Sequence, residues 1–148
     1  MKCVGVIWNC ALNCKDEIFN ILVSNSTIIS AKELNLGVSF DTFVHDMYPN
    51  GSIAQWKIDK KIKHMRSVSD VTDVIIVVFD INATDTFYHP QKQCDVYAKL
   101  ELLKICIRQF CSKKISDYFY DISFHCTDNN QEFEYTINIL NKYISKVS

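Results

Sequence analysis

Residues 73–81 read DVIIVVFDI. Val74 to Phe79 form an unbroken apolar run of β-branched and aromatic side chains. A strand with one wet face alternates apolar and polar residues; an unbroken run predicts a central strand covered on both faces. Working outward from it, residues 3–8, CVGVIW, are a second short apolar run of strand formers. Residues 14–24 place Ile18, Ile21 and Leu22 at helical spacing, with Asn13 as N-cap and Asp16 and Glu17 in the first turn, where they suit the helix dipole. After the turn at Ser24-Asn25-Ser26, residues 27–34, TIISAKEL, read as a strand. Ser39 is expected to cap a short helix over 40–48, and Pro49-Asn50-Gly51 is a strong turn signal. Residues 53–65 read as an amphipathic helix whose Lys57, Lys60, Lys61 and Lys63 form a solvated face.

On the other side of the central run, residues 82–93 read as a loop around Pro90. Residues 94–111 read as a helix with Val96, Leu100, Leu103 and Ile107 on one stripe. Residues 118–126, YFYDISFHC, read as the last strand, and residues 130–145 as a closing helix with Phe133, Ile137, Leu140 and Ile144 inward. Without the extra helical segment, the order is βαββαβ followed by a C-terminal helix. That is a ferredoxin-like α+β sandwich with extra helices. A doubly wound parallel sheet fits less well, because only four strands appear and the second and third are far apart.

The chain has 148 residues, 48% hydrophobic, with a net charge of −1. That length suits one domain, residues 1–148. The apolar fraction excludes disorder as the main state, and no apolar run approaches the length of a membrane span. The balanced charge gives no general attraction to nucleic acid or to a membrane surface. The seven cysteines are odd in number, contain no C-x-x-C and match no zinc spacing, so free thiols and no metal site are expected. Asn9, Asn13, Asp16 and Glu17 interrupt any signal-peptide core, which points to a cytoplasmic location.

With three glycines there is no phosphate-binding glycine loop. His45, His64 and His89 lie among polar neighbours and read as surface residues. His125 differs. It ends an apolar strand and is followed by Thr127, Asp128 and Asn129, which fit a loop and a helix N-cap. A neutral imidazole there can attack a phosphoryl group, with helix and loop amides favouring the anion. The alternative is a half-buried histidine bonded to a backbone carbonyl. An H-x-T pair at His125 and Thr127 has no second copy in the chain, which argues against a two-motif phosphodiesterase.

The stretch CIRQF…YFYDISFHCTDNNQE resembles the signature of nucleoside diphosphate kinases. Ile107-Arg108-Gln109-Phe110 is similar to that family's I-R-G-D-F segment. Ile122 to Asp128 is similar to its N-V-I-H-G-S-D strand and loop. VGVIWNCAL stands in the place of the family's first strand. The resemblance implies the family's ferredoxin-like fold, with a helical hairpin after the second strand. It implies that His125 carries a phosphoryl group from a nucleoside triphosphate, and that Arg108, Trp8, Thr127 and Lys92 bind the nucleotide. Mg²⁺ would arrive with the nucleotide, and the chain would assemble as a homo-oligomer.

The sequence departs from the family in places. The family's first-strand Lys falls on Trp8, so Trp8 is expected to pack in or beside the cleft and reshape it. The Glu that holds the catalytic histidine falls on Thr136, with Glu132 one turn earlier as a substitute. Residues 50–71 look like an insertion. Two functions stay open: a phosphotransferase, or an inactive module that binds a nucleotide or a protein. Convergence of Arg108, Lys92, Lys113 and Lys114 on His125 would favour the first; a cleft filled by Trp8 or Phe124 would favour the second.

Overall fold

The computed structural model describes every residue except Asn50, Tyr120 and Ser148, and the side chains of residues 145–147 also lie outside the description. In chain order the elements are β1 (Lys2–Ile7), α1 (Lys15–Asn25), β2 (Thr27–Asn35), α2 (Phe40–Asp46), α3 (Gln55–Val68), β3 (Asp73–Asp80), β4 (Thr86–His89), β5 (Cys94–Tyr97), α4 (Ala98–Lys114), β6 (Phe124–Cys126) and α5 (Asn130–Val147). Short 3₁₀ turns at Asn9–Cys14 and Gly37–Ser39 link β1 to α1 and β2 to α2.

The main sheet has four strands in the order β2-β3-β1-β6, and every pair in it is antiparallel. The chain is therefore a mixed α+β fold. The antiparallel pairing excludes the parallel doubly wound sheet. As expected from its apolar run, β3 is an inner strand, with Val74, Ile75, Ile76, Val77 and Phe79 buried. β1 beside it is buried from Cys3 to Ile7, so helices cover both faces of the inner pair. β2 is an edge strand and is largely exposed. α1 packs on α4, whereas α5 lies against β1. α2 leans on α5 through the edge-on contact of Phe43 with Tyr143, at 5.0 Å.

Two expected elements are corrected. The helix expected over 94–111 starts at Ala98, because Cys94–Tyr97 pairs with Thr86–His89 as a separate hairpin. The hairpin's first strand and its turn lie in the stretch read as a loop, and its second strand in the stretch read as the start of the helix. Its connection runs through Pro90 and closes with Gln93 at φ 56, a left-handed turn residue that a Gln does not advertise. The last strand is also far shorter than 118–126. Asp117 takes φ 60, and the Tyr118 hydroxyl lies 3.2 Å from Ser123 Oγ. Tyr118 and Ser123 thus meet before β6 begins.

Candidate functional site

His125 is the middle residue of β6 and pairs with Val6 of β1. Paired residues share a face, so its ring stands on the Val6 side of the sheet. There it meets the Tyr48 ring at 5.0 Å and the Trp8 ring at 6.2 Å. The ring is half-buried, and among the described residues neither nitrogen makes a hydrogen bond. The carbonyl-bonded alternative is therefore not realised. Burial, then the charges of Lys61, Arg108 and Lys104, push its pKa from 6.5 down to about 3, with Asp128 opposing. The imidazole is neutral at pH 7.

The ring opens into a cleft of about 1010 Å³ between α3, the β4–β5 hairpin, α4 and the start of α5. Its described lining carries six cations, Lys57, Lys60, Lys61, Lys92, Lys104 and Arg108, against Asp121, Asp128 and Glu132. Three of the five expected site residues, His125, Arg108 and Lys92, meet in this cleft. Arg108 donates from Nε and Nη2 to the carbonyl of Phe124, at 3.2 and 3.1 Å. It therefore clamps the backbone that carries His125. Lys92, on the hairpin turn, donates to Glu101 and Asp128 at 2.9 Å each.

Those two carboxylates also hold Lys104, which is 1% exposed. Its position explains the pairing. Lys104 lies on the apolar stripe of α4 with Leu100, Leu103 and Ile107, and a buried charge persists only when paired. Burial works against the charged forms of Asp128 and Glu101, yet the two lysines more than offset it and hold both carboxyl pKa values below normal.

Trp8 and Thr127 do not reach the cleft. Trp8 is 0% exposed and lies behind His125, so its ring offers no face to a ligand. Its Nε1 has no hydrogen-bond partner among the described residues. Thr127 is 1% exposed; its Oγ1 accepts the Val4 N–H at 3.0 Å and its own N–H returns to the Val4 carbonyl at 3.1 Å. It ties β6 to β1. Lys113 and Lys114 also miss the cleft: Lys114 lies over Phe110 and lines a different hollow with Asn13 and Glu17.

Glu132 does not hold the histidine either. Asn129 Oδ1 accepts the Glu132 N–H at 2.8 Å, and Glu132 Oε1 accepts the Asp128 N–H at 3.1 Å. This is a capping box. It occupies the Glu132 and Asp128 amides, and the cationic side chains of the cleft carry the attraction for an anion.

The solvated-face reading of the α3 lysines holds for Lys57, Lys60 and Lys63, which are exposed, and fails for Lys61. Lys57, Lys60 and Lys61 wall the cleft, and Lys61 is only 8% exposed. Its ammonium lies 5.5 Å from the Trp8 ring and 5.1 Å from the Tyr48 ring, and donates to the Tyr48 hydroxyl. The i, i+3, i+4 spacing of Lys57, Lys60 and Lys61 was the available signal that they share a face.

Compared with known proteins, the chain matches no protein-family model and no curated protein. Among the described residues no helix is long and apolar enough to cross a membrane, and no cluster of metal-ligating side chains occurs.

Proposed function

We propose that this chain is a diverged nucleoside diphosphate kinase-like protein on a ferredoxin-like βαββαβ sandwich. Its cleft takes the phosphates of a nucleoside triphosphate, and His125 accepts the terminal phosphoryl group. The strand order β2-β3-β1-β6 supports the fold reading. One observation carries the functional reading: a neutral imidazole that makes no hydrogen bond among the described residues opens onto a cleft whose described lining carries six cations. The unprotonated ring nitrogen attacks the γ-phosphorus, a phosphorus–nitrogen bond forms, and the β–γ bridging bond breaks with the diphosphate leaving. Lys57, Lys60 and Lys61 stand where they offset the charge that builds on the phosphates. Lys61 returns a cation beside Trp8, where the resembled family keeps a lysine.

The cleft's carboxylates do not fit a resident Mg²⁺. Asp128 is held by two lysines, Glu132 caps α5, and Asp121 lies 3.8 Å from Arg108. An ion there would come with the phosphates.

A second reading, binding without transfer, has its own support: Glu132 is committed to the helix cap, and among the described residues no side chain hydrogen-bonds the His125 ring. The test is incubation with γ-³²P-ATP or GTP and Mg²⁺. Acid-labile label on wild type, absent from His125→Ala and His125→Gln, is the result expected for transfer. Bound nucleotide without label would leave the binding module.

A further inference from the structure

We infer that the natural occupant of this cleft is a single-stranded oligonucleotide, with Trp56 and Phe119 as stacking platforms and Lys57, Lys60 and Lys61 on its phosphates. The inference rests on the reading of the cleft as a phosphate site and extends it beyond a mononucleotide.

Trp56 is 57% exposed and Phe119 60% exposed, and both lie on the rim of the His125 cleft. Large aromatic rings normally lose most of their surface to packing. Phe119 sits edge-on to His64, with centroids 6.1 Å apart. His64, against which Phe119 packs, follows Trp56 by eight residues on α3, about 12 Å along the helix axis. Stacked bases rise by about 3.4 Å per nucleotide, so about four nucleotides span that length of helix.

The cations cluster at the Trp56 platform. Lys57 and Lys60 hold their ammonium groups 5.5 and 5.2 Å from the Trp56 ring. Neither makes an ion pair among the described residues. Lys61 continues the row inward to His125. Exposed aromatic rings beside cations along an open groove are how proteins take single strands, because every base has a face to stack and every link carries a charge. The net charge of −1 hides this row, since it averages α3 with acidic surface elsewhere.

The experiment titrates the full chain with fluorescein-labelled dT₈ and rU₈, with an eight-base-pair duplex, and with thymidine monophosphate, by anisotropy and tryptophan emission. The octamers should bind at least about tenfold more tightly than the monophosphate, and the two octamers together show whether the sugar matters. Trp56→Ala and Phe119→Ala should each weaken octamer binding by about 5- to 100-fold; both side chains are exposed, so folding is spared. The slope of log K against log salt should be about −2 for three phosphate contacts and shrink by about 0.7 in Lys60→Gln.

Equal affinity for monophosphate and octamer, equal affinity for the duplex, or indifference to both aromatic substitutions would overturn the inference. Label on His125 from ATP without octamer binding would overturn it while leaving the transferase. Octamer binding that depends on Trp56 and Phe119, without label, would support it and remove the transfer step. Binding of neither probe would overturn both.

Discussion

Lys61 holds its ammonium 5.5 Å from the ring of Trp8. A buried cation against a buried aromatic face is stabilised by the ring's quadrupole, by about 2 kcal/mol when water is excluded. The pair also fixes where positive charge stands relative to His125, because Lys61 exerts the largest charge effect on that imidazole. Lys61→Met keeps most of the side-chain volume and removes the charge. In that variant the His125 ring should titrate at a higher pH, as followed by the proton NMR shift of its Cε1–H. Nucleotide affinity should fall by roughly tenfold, about the 1.4 kcal/mol expected of one charge-assisted contact. An unmoved titration would mean that Lys61 does not act on His125.

The depressed pKa of His125 makes stability depend on pH in a defined window. Its folded value is about 3 and its ordinary value 6.5. Between these the unfolded chain binds a proton that the folded chain refuses, so stability falls as pH drops from about 6.5 toward 3. The lowered carboxyls of Asp128 and Glu101 add their own loss only below about pH 4.5. Wild type should therefore lose Tm between pH 6.5 and 5 relative to His125→Gln, which cannot take up the proton. Parallel curves would contradict the depressed value. Phosphorylation of His125 should stay flat down to pH 5, since the neutral form persists there.

The sequence made the scaffold legible because its signals are local. The run Val74–Phe79 marked an inner strand, and the helical spacing of Leu100, Leu103 and Ile107 marked the face of α4 that is buried. His125 was legible because a histidine ending an apolar run and preceding capping residues is uncommon. The remainder of the site was not, for a shared physical reason. Lys61 and Lys104 are ordinary lysines until tertiary packing buries them; the only hints are the helical spacing that Lys61 shares with Lys57 and Lys60 and the apolar stripe in which Lys104 stands. Thr127 looked like part of a loop, whereas its hydroxyl is spent on the Val4 amide. Trp8 was placed beside the cleft by its position after β1; its ring lies under the histidine, without access to a ligand.

The four charges at the back of the cleft should respond asymmetrically to substitution. Asp128 pairs with both Lys92 and the buried Lys104. Asp128→Ala leaves Lys104 dependent on Glu101 alone and should cost about 3–5 kcal/mol, as when one partner of a buried pair is lost. Lys104→Met removes the buried charge itself and leaves both carboxylates the partly exposed Lys92; it should cost less than about 1 kcal/mol. Denaturant melts of the two variants at pH 7 provide the comparison. Equal costs would mean that Lys104 is not the charge whose burial the cluster compensates.

Gly5 and Phe124 set the position of β6, and through it that of His125. A Cβ at Gly5 would stand 2.6 Å from Phe124 Cζ and 2.7 Å from Cε1. Phe124 is 0% exposed, so its ring has no room to retreat. Gly5→Ala should therefore overpack the core and cost about 1–3 kcal/mol. The sheet registers Gly5 against Cys126 and Val6 against His125, so relief by moving β6 would displace the imidazole and lower any labelling of His125. Phe124→Leu shortens the side chain at the point of conflict. Alone it should destabilise by leaving a void, but in the Gly5→Ala background it should cost less, because the new methyl group occupies that space. A double-mutant cycle measures this coupling, expected at about 0.5–3 kcal/mol and favourable. Additive effects would show that the two residues do not share the volume on which the placement of His125 depends.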